Sequence, residues 1–179
     1  NGAGAGYYRP LDVHEAYNVP LALHMSPLLA SAIQWAKVDP AVNKPWRDGP
    51  TLNARMGTLA SNGVVQFLGT AMADHILPYF PLSYTQANVA DASALMQGIY
   101  GTAPSSTVFY PPERVLNADA LSKIAGSGFA ATFADQSQHI AAWLGRTVSL
   151  GTEGYRINRI NGVKIFTISD QASAFRFSN

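Results

Sequence analysis

The chain contains no cysteine, which excludes disulfides and thiolate metal sites. Charge is nearly as scarce: Asp, Glu, Lys and Arg make up 13% of its 179 residues, about half the usual share. Twelve basic residues against 11 acidic ones leave a net charge of +1. No basic stripe can be assembled from that balance, which argues against nucleic acid or an anionic membrane as a partner. No apolar run approaches the roughly 20 residues that a membrane-spanning helix needs. The opening Asn1-Gly2-Ala3-Gly4-Ala5-Gly6 lacks the basic region and apolar core of a secretion signal. It follows no strand either, so it suggests no phosphate loop. A chain that opens on this stretch without Met reads as a processed product or an excised fragment. G-x-S-x-G is missing, which counts against the commonest serine hydrolase design. The four His lack H-x-x-x-H and H-E-x-x-H spacing, so no metal site and no cofactor is expected.

What remains is an apolar chain, 47% hydrophobic, long enough for one domain with a sizeable core. Its low charge, eight Tyr and many small polar residues lean toward a secreted or cell-surface location. Residues 11–17 read as a short helix, and 19–25 as a buried strand of parallel type. Ser26 and Pro27 then suit the cap and first position of a helix carrying Leu28, Leu29, Ala32, Ile33 and Trp35. Residues 43–50 read as a loop, and Thr51 as the cap of a helix ending at Asn62-Gly63. Residues 64–68 form the next expected strand, followed by a long loop to Pro81 and a helix over 86–100. Residues 107–110 are a third strand, 117–125 a helix, 129–133 a fourth strand and 139–144 a short helix or turn. Beyond them, 155–160, 162–168 and 174–177 are strand-like, with Asn161-Gly162 a strong hairpin signal.

This alternation predicts an α/β fold, parallel strands with covering helices and a β-hairpin near the C-terminus. Four parallel strands do not close a barrel, which takes about eight. The expectation is therefore part of an irregular barrel, a single incomplete catalytic region over residues 1–179 that continues beyond Asn179.

In such folds functional groups collect past the C-terminal ends of parallel strands. The residues there are His24 and Ser26, then Gln66, Thr70, Asp74 and His75, then Glu113 and Arg114, then Asp135, Gln136 and His139. Glu113 leads this set. It is one of only three Glu, and Pro111-Pro112 before it would hold its carboxylate stiffly, as a nucleophile requires. Arg114 can hydrogen-bond a neighbouring carboxylate and keep it ionised. The plainer reading makes Glu113 a first-turn helix residue favoured by the helix dipole. His24, Gln66, Asp74, His75, Arg114 and Asp135 are the candidate substrate contacts. The plainer reading of His75 is a loop histidine satisfied by backbone, and His14 reads as an inert surface residue. Asp135 with His139 is either a site pair or a cap and its helix. Trp35, Trp46 and Trp143 could stack on sugar faces or pack in core and rim.

Three stretches resemble glycoside hydrolase family 57, the α-glucan-acting amylases, branching enzymes and 4-α-glucanotransferases. VPLALHMSPLL, residues 19–29, resembles that family's second strand and helix. VVQFLGTAMADHILPYFP, residues 64–81, is similar to its ELLG…HPILPL segment, with Gln66 where Glu is common and Ile76 instead of Pro after His75. YPPERVL, residues 110–116, resembles its W-x-x-E-R-V region, with Tyr110 in place of Trp. The resemblance implies that Glu113 is the nucleophile of a retaining enzyme acting on an oligo- or polysaccharide. It also implies that the acid/base Asp lies beyond Asn179 and the family's histidine-bearing first strand before Asn1, so the remaining part of the same protein is a partner and this chain alone is inactive. Two other readings compete. One is a non-catalytic carbohydrate-binding or structural domain of the same fold; the other is a polysaccharide deacetylase-like barrel, which needs a His/His/Asp metal site.

Overall fold

The computed structural model describes residues 6–36, 49–104, 106–147 and 157–169. They fall into two compact units, Asn1–Ala73 with Asn88–Ser106, and Asp74–Ala87 with Thr107–Asn179.

In the first unit, helix α1 (Tyr8–Ala16) buries Tyr8 and Leu11 and turns Asp12 and Glu15 outward. Strand β1 (Leu21–Leu23) follows, then helix α2 (Pro27–Trp35) with Pro27 in its first turn, where a missing N–H costs nothing. The Ser26 side chain makes no capping bond, so proline alone marks this start. Helix α3 (Gly49–Ser61) begins two residues before the expected Thr51. Asn62-Gly63 ends it, Gly63 taking φ +77°, which favours glycine. Strand β2 (Val65–Phe67) then pairs in parallel with β1, Leu21 opposite Val65 and Leu23 opposite Phe67. Helix α4 (Leu82–Tyr100) starts four residues earlier than its periodicity suggests, and its last part belongs to this unit. Leu11, Met25, Ala30, Met56, Leu59, Phe67 and Met96 form the core. Arg55 of α3 spans Asp12 at 2.6 Å and Glu15 at 2.5 Å on α1, clamping the two helices from outside.

Gly57 of α3 lies against the last residue of α4: a Cβ there would sit 2.5 Å from the Tyr100 carbonyl oxygen. Gly98 on α4 is exposed and has open space around it. Ala is the better helix former at both positions by about 1 kcal/mol. At Gly57 that gain is outweighed by overpacking of about 1–3 kcal/mol against a backbone atom that cannot rotate away. Gly98→Ala should therefore raise, and Gly57→Ala lower, the midpoint of denaturant unfolding.

In the second unit, strand β3 (Val108–Phe109) leads through a 3₁₀ turn (Pro112–Arg114) to helix α5 (Ala118–Gly126). Asn117 caps α5, its side chain accepting from the Ala120 N–H at 2.8 Å. Strand β4 (Ala131–Asp135) runs into a π-helical turn (Gln136–Ala141) and the short helix α6 (Ala142–Leu144). Strands β5 (Asn158–Ile160) and β6 (Val163–Ile168) form the hairpin. Asn161 and Gly162 have φ of 49° and 80°, the two positive values of a type I′ turn. The sheet order is β3-β4-β6-β5, parallel except for that hairpin. The buried Thr132 hydroxyl donates to the Phe109 carbonyl at 2.9 Å, tying β4 to β3.

The expected barrel is not there. The described strands form a two-stranded sheet, β1-β2, and a separate four-stranded one, with no ladder joining or closing them. The parallel strands and their helices stand, but closure does not. Pro111-Pro112 stops β3 after two residues, and the antiparallel β5 of the hairpin stands at the opposite sheet edge. The expected strand-like segment at 174–177, and residues 155–156, lie outside the described residues.

Candidate functional site

Glu113 follows the C-terminal end of β3, where the backbone makes two successive tight turns. The Arg114 N–H donates to the Pro111 carbonyl at 3.0 Å, and the Val115 N–H to the Pro112 carbonyl at 3.2 Å. Glu113 has φ 49° and ψ 12°, and Arg114 has φ 52°. Two consecutive non-glycine residues in the left-handed region are uncommon, each costing about 1–2 kcal/mol. This removes the first-turn reading of Glu113, because α5 begins at Ala118 with Asn117 as its cap. The Glu113 side chain is exposed, and among the described residues no hydrogen bond or ion pair holds its carboxylate.

Arg114 turns instead to the next strand. Its Nη1 donates to Oδ1 of Asp135 at 2.6 Å, the arginine side chain being 45% and the aspartate 9% exposed. Asp135 is the last residue of β4, opposite Ile168 of β6 and one strand over from β3. The Asp135 N–H donates to Nδ1 of His139 at 3.0 Å. Nδ1 also lies 3.5 Å from Oδ2 of Asp135. The backbone contact decides between the two, because an amide N–H can only donate. Nδ1 is therefore an acceptor, and the proton of the neutral ring sits on Nε2. The His139 ring lies 5.7 Å from that of Trp143, at 47°. Glu113, Arg114, Asp135 and His139 thus gather beyond the ends of two adjacent parallel strands, where α/β sheets place ligands.

The other expected contacts have surroundings of their own. His75 is buried, at 8% exposure, with its ring edge-on to Phe80 and Tyr84, which stack on each other at 4.7 Å. Its Nε2 reaches Thr85 Oγ1 at 3.4 Å, and its Nδ1 is buried with no hydrogen-bond partner. The preceding Asp74 is half-buried, with φ 47°. Lys123 of α5 holds this segment, donating to the Leu77 carbonyl at 3.0 Å and pairing with Asp119 at 2.5 Å. Sequence reading missed Lys123; its signal was a lone cation within the apolar face Ala120, Leu121, Ile124, one turn after Asp119. In the first unit, His24 Nε2 lies 3.2 Å from Thr70 Oγ1, joining residues just past β1 and β2. Gln66 is exposed between buried Val65 and Phe67, as strand alternation requires. Trp35 is 78% exposed, and Trp46 lies outside the described residues. Among the described residues no three His, Asp or Glu gather as a metal site would need.

Burial lowers the pKa of His75, and Lys123 lowers it further while Asp74 opposes them. The sign of its effect on stability follows. Above the ordinary value near 6.5 the ring is neutral in both folded and unfolded chains, and its contribution is complete. As pH falls below that value the unfolded chain binds the proton more readily, so stability drops until the folded pKa is passed. His75→Phe should flatten this part of the stability–pH curve, measured by urea unfolding at several pH values. An identical slope in both proteins would rule His75 out as its source.

The profile of glycosyl hydrolase family 57 matches residues 13–178, nearly the whole chain. The chain belongs to that family. Comparison with curated proteins gives no significant match. Among solved structures, the family 57 chain is similar to the 4-alpha-glucanotransferase of Thermococcus litoralis, with TM-score 0.66 and 16% identity over 93% of this chain and 24% of that one. It is also similar to the GH57-type branching enzyme of Pyrococcus horikoshii, with TM-score 0.60 and 11% identity over 91% and 40% of the respective chains. A putative polysaccharide deacetylase from Mycobacterium smegmatis gives TM-score 0.55 at 12% identity over 90% and 44%. At these identities the likeness is one of fold. The family 57 chain spans about a quarter of the first of these structures and under half of the other two.

Proposed function

We propose that this family 57 chain carries the nucleophile of a retaining glycoside hydrolase or transglycosylase acting on an α-glucan-type polysaccharide, and that the nucleophile is Glu113. The observation that carries this reading is the strained and exposed Glu113, unpaired among the described residues and fixed in a left-handed turn at the end of β3. A carboxylate held in a costly conformation with no structural partner fits a chemical purpose better than a packing one. Glu113 would attack the anomeric carbon and form a glycosyl-enzyme, while a second carboxyl group about 5–5.5 Å away protonates the leaving oxygen. Asp135 is unsuited to be that donor, since Arg114 occupies its Oδ1. The resemblance to family 57 implies an Asp from the remaining part of the same protein as the acid/base, and that is the donor proposed. In the 179-residue chain Arg114 and Asp135 anchor the turn that aims Glu113.

A glycosyl fluoride tests this without the proton donor, because fluoride departs unprotonated. Incubating the chain with a 5-fluoro α-glycosyl fluoride should add one fluoroglycosyl group to the peptide containing Glu113, read by mass spectrometry. Glu113→Gln should take up none. Labelling at another residue, or none on a folded chain, would sink the assignment; sugar binding without labelling would favour a carbohydrate-binding domain.

A further inference from the structure

We propose that His139 is a sugar-binding residue of this site, its Nε2–H donating to a hydroxyl of a glucan unit that rests beside the Trp143 ring. The inference deepens the glycosidase reading and rests on it. An imidazole is an indifferent ligand for a hydroxyl when its tautomer is free to switch. Here the switch is closed, because the Asp135 N–H occupies Nδ1 at 3.0 Å and leaves the proton on Nε2. That nitrogen has no partner among the described residues, and the side chain keeps 12% of its area at the surface. A histidine fixed in one tautomer, with its N–H directed away from the bond that fixes it, is a prepared donor.

The local backbone makes this geometry. In a capping box the side chain three residues into a helix reaches back to the N–H of the capping residue. The wider π-helical turn Gln136–Ala141 moves that role one residue on, to His139, and such turns are frequent at functional sites. The same turn carries the chain to Trp143, which lies 5.7 Å from the imidazole, so a ring face and a donor adjoin. Sugars are bound by this combination, the apolar face of the pyranose against an aromatic ring and its hydroxyls on fixed donors. Asp135 links the pair to the nucleophile turn: its amide orients His139 and its carboxylate holds Arg114 beside Glu113.

A residue that only caps the turn would not respond to sugar, and this separates the two roles. The chain labelled with ¹⁵N-histidine and ¹⁵N-tryptophan should show, for the signal absent from His139→Gln, an unprotonated Nδ1 and a protonated Nε2. Titration with maltoheptaose should move that Nε2 signal saturably, together with the Trp143 indole. His139→Ala should weaken binding about three- to tenfold, the worth of one hydrogen bond. His139→Gln can accept from the Asp135 N–H and still donate, and should retain most of the affinity. If maltoheptaose shifts other residues while His139 stays silent, or if the proton is on Nδ1, the inference fails and the glycosidase reading survives. If no residue responds to saturating maltoheptaose, both fall.

Discussion

A Glu113→Gly variant is expected to lose covalent capture of a glycosyl fluoride by at least about 10⁴-fold and yet to unfold at a higher denaturant concentration than the parent chain. The two halves have separate causes. On the proposed reading, losing the carboxylate removes the nucleophile, and effects of that size are usual when a nucleophile is deleted. The stability gain comes from the backbone. Glu113 sits at φ 49° with a Cβ in a region that glycine enters freely. Relief of that strain is worth about 1–2 kcal/mol, part of which is returned to the greater entropy of an unfolded glycine. A net gain of about 0.5–1 kcal/mol should remain. Glu113→Gln is the control: it also abolishes capture but keeps the Cβ and the strain, so its stability should match the parent. This pattern separates a residue retained for chemistry from one retained for the fold. A Glu113→Gly chain less stable than Glu113→Gln would mean that the side chain serves the turn, and the strain argument would collapse.

That turn also marks how far the sequence can be read. Elements governed by one or two residues were legible: Pro27 starting α2, Asn62-Gly63 ending α3 and Asn161-Gly162 closing the hairpin. Each acts through a local backbone preference. The start of α4 was missed because Ser83-Tyr84-Thr85 has little intrinsic helix preference, whereas the helix begins at Leu82. The placement of Glu113 beyond a strand end could be read, but its left-handed backbone could not, since nothing in Pro-Pro-Glu-Arg supplies the glycine such a turn would select. The sequence does not decide whether Asp135 with His139 is a site pair or a cap and its helix, because ordinary helical spacing does not foresee a π-helical turn. Barrel closure failed for a different reason: alternation of strands and helices says which units form, and not which strands find each other across the chain.

Arg114 and Asp135 supply the second large expected effect, and it is a coupled one. Arg114→Ala leaves a carboxylate of 9% exposure at the end of β4 without its cation. Breaking a fully buried pair in this way costs about 3–5 kcal/mol. The guanidinium here is 45% exposed, so solvent screens part of the interaction, and a loss of about 2 kcal/mol is expected. Asp135→Ala removes the buried charge together with its partner's anchor, and should cost less. The double variant should then be only slightly less stable than Asp135→Ala, giving a coupling energy of about 1–2 kcal/mol in the thermodynamic cycle. Capture of the glycosyl fluoride should report the same coupling. Without the 2.6 Å bond the turn that aims Glu113 loses its tie to β4, and a displacement of about 1 Å is enough for a loss on the order of 10²-fold. Either substitution should cause that loss, and the second should add little once the first is made. Additive losses in stability or in capture would show that the two residues act independently, leaving the left-handed turn without the brace assigned to it.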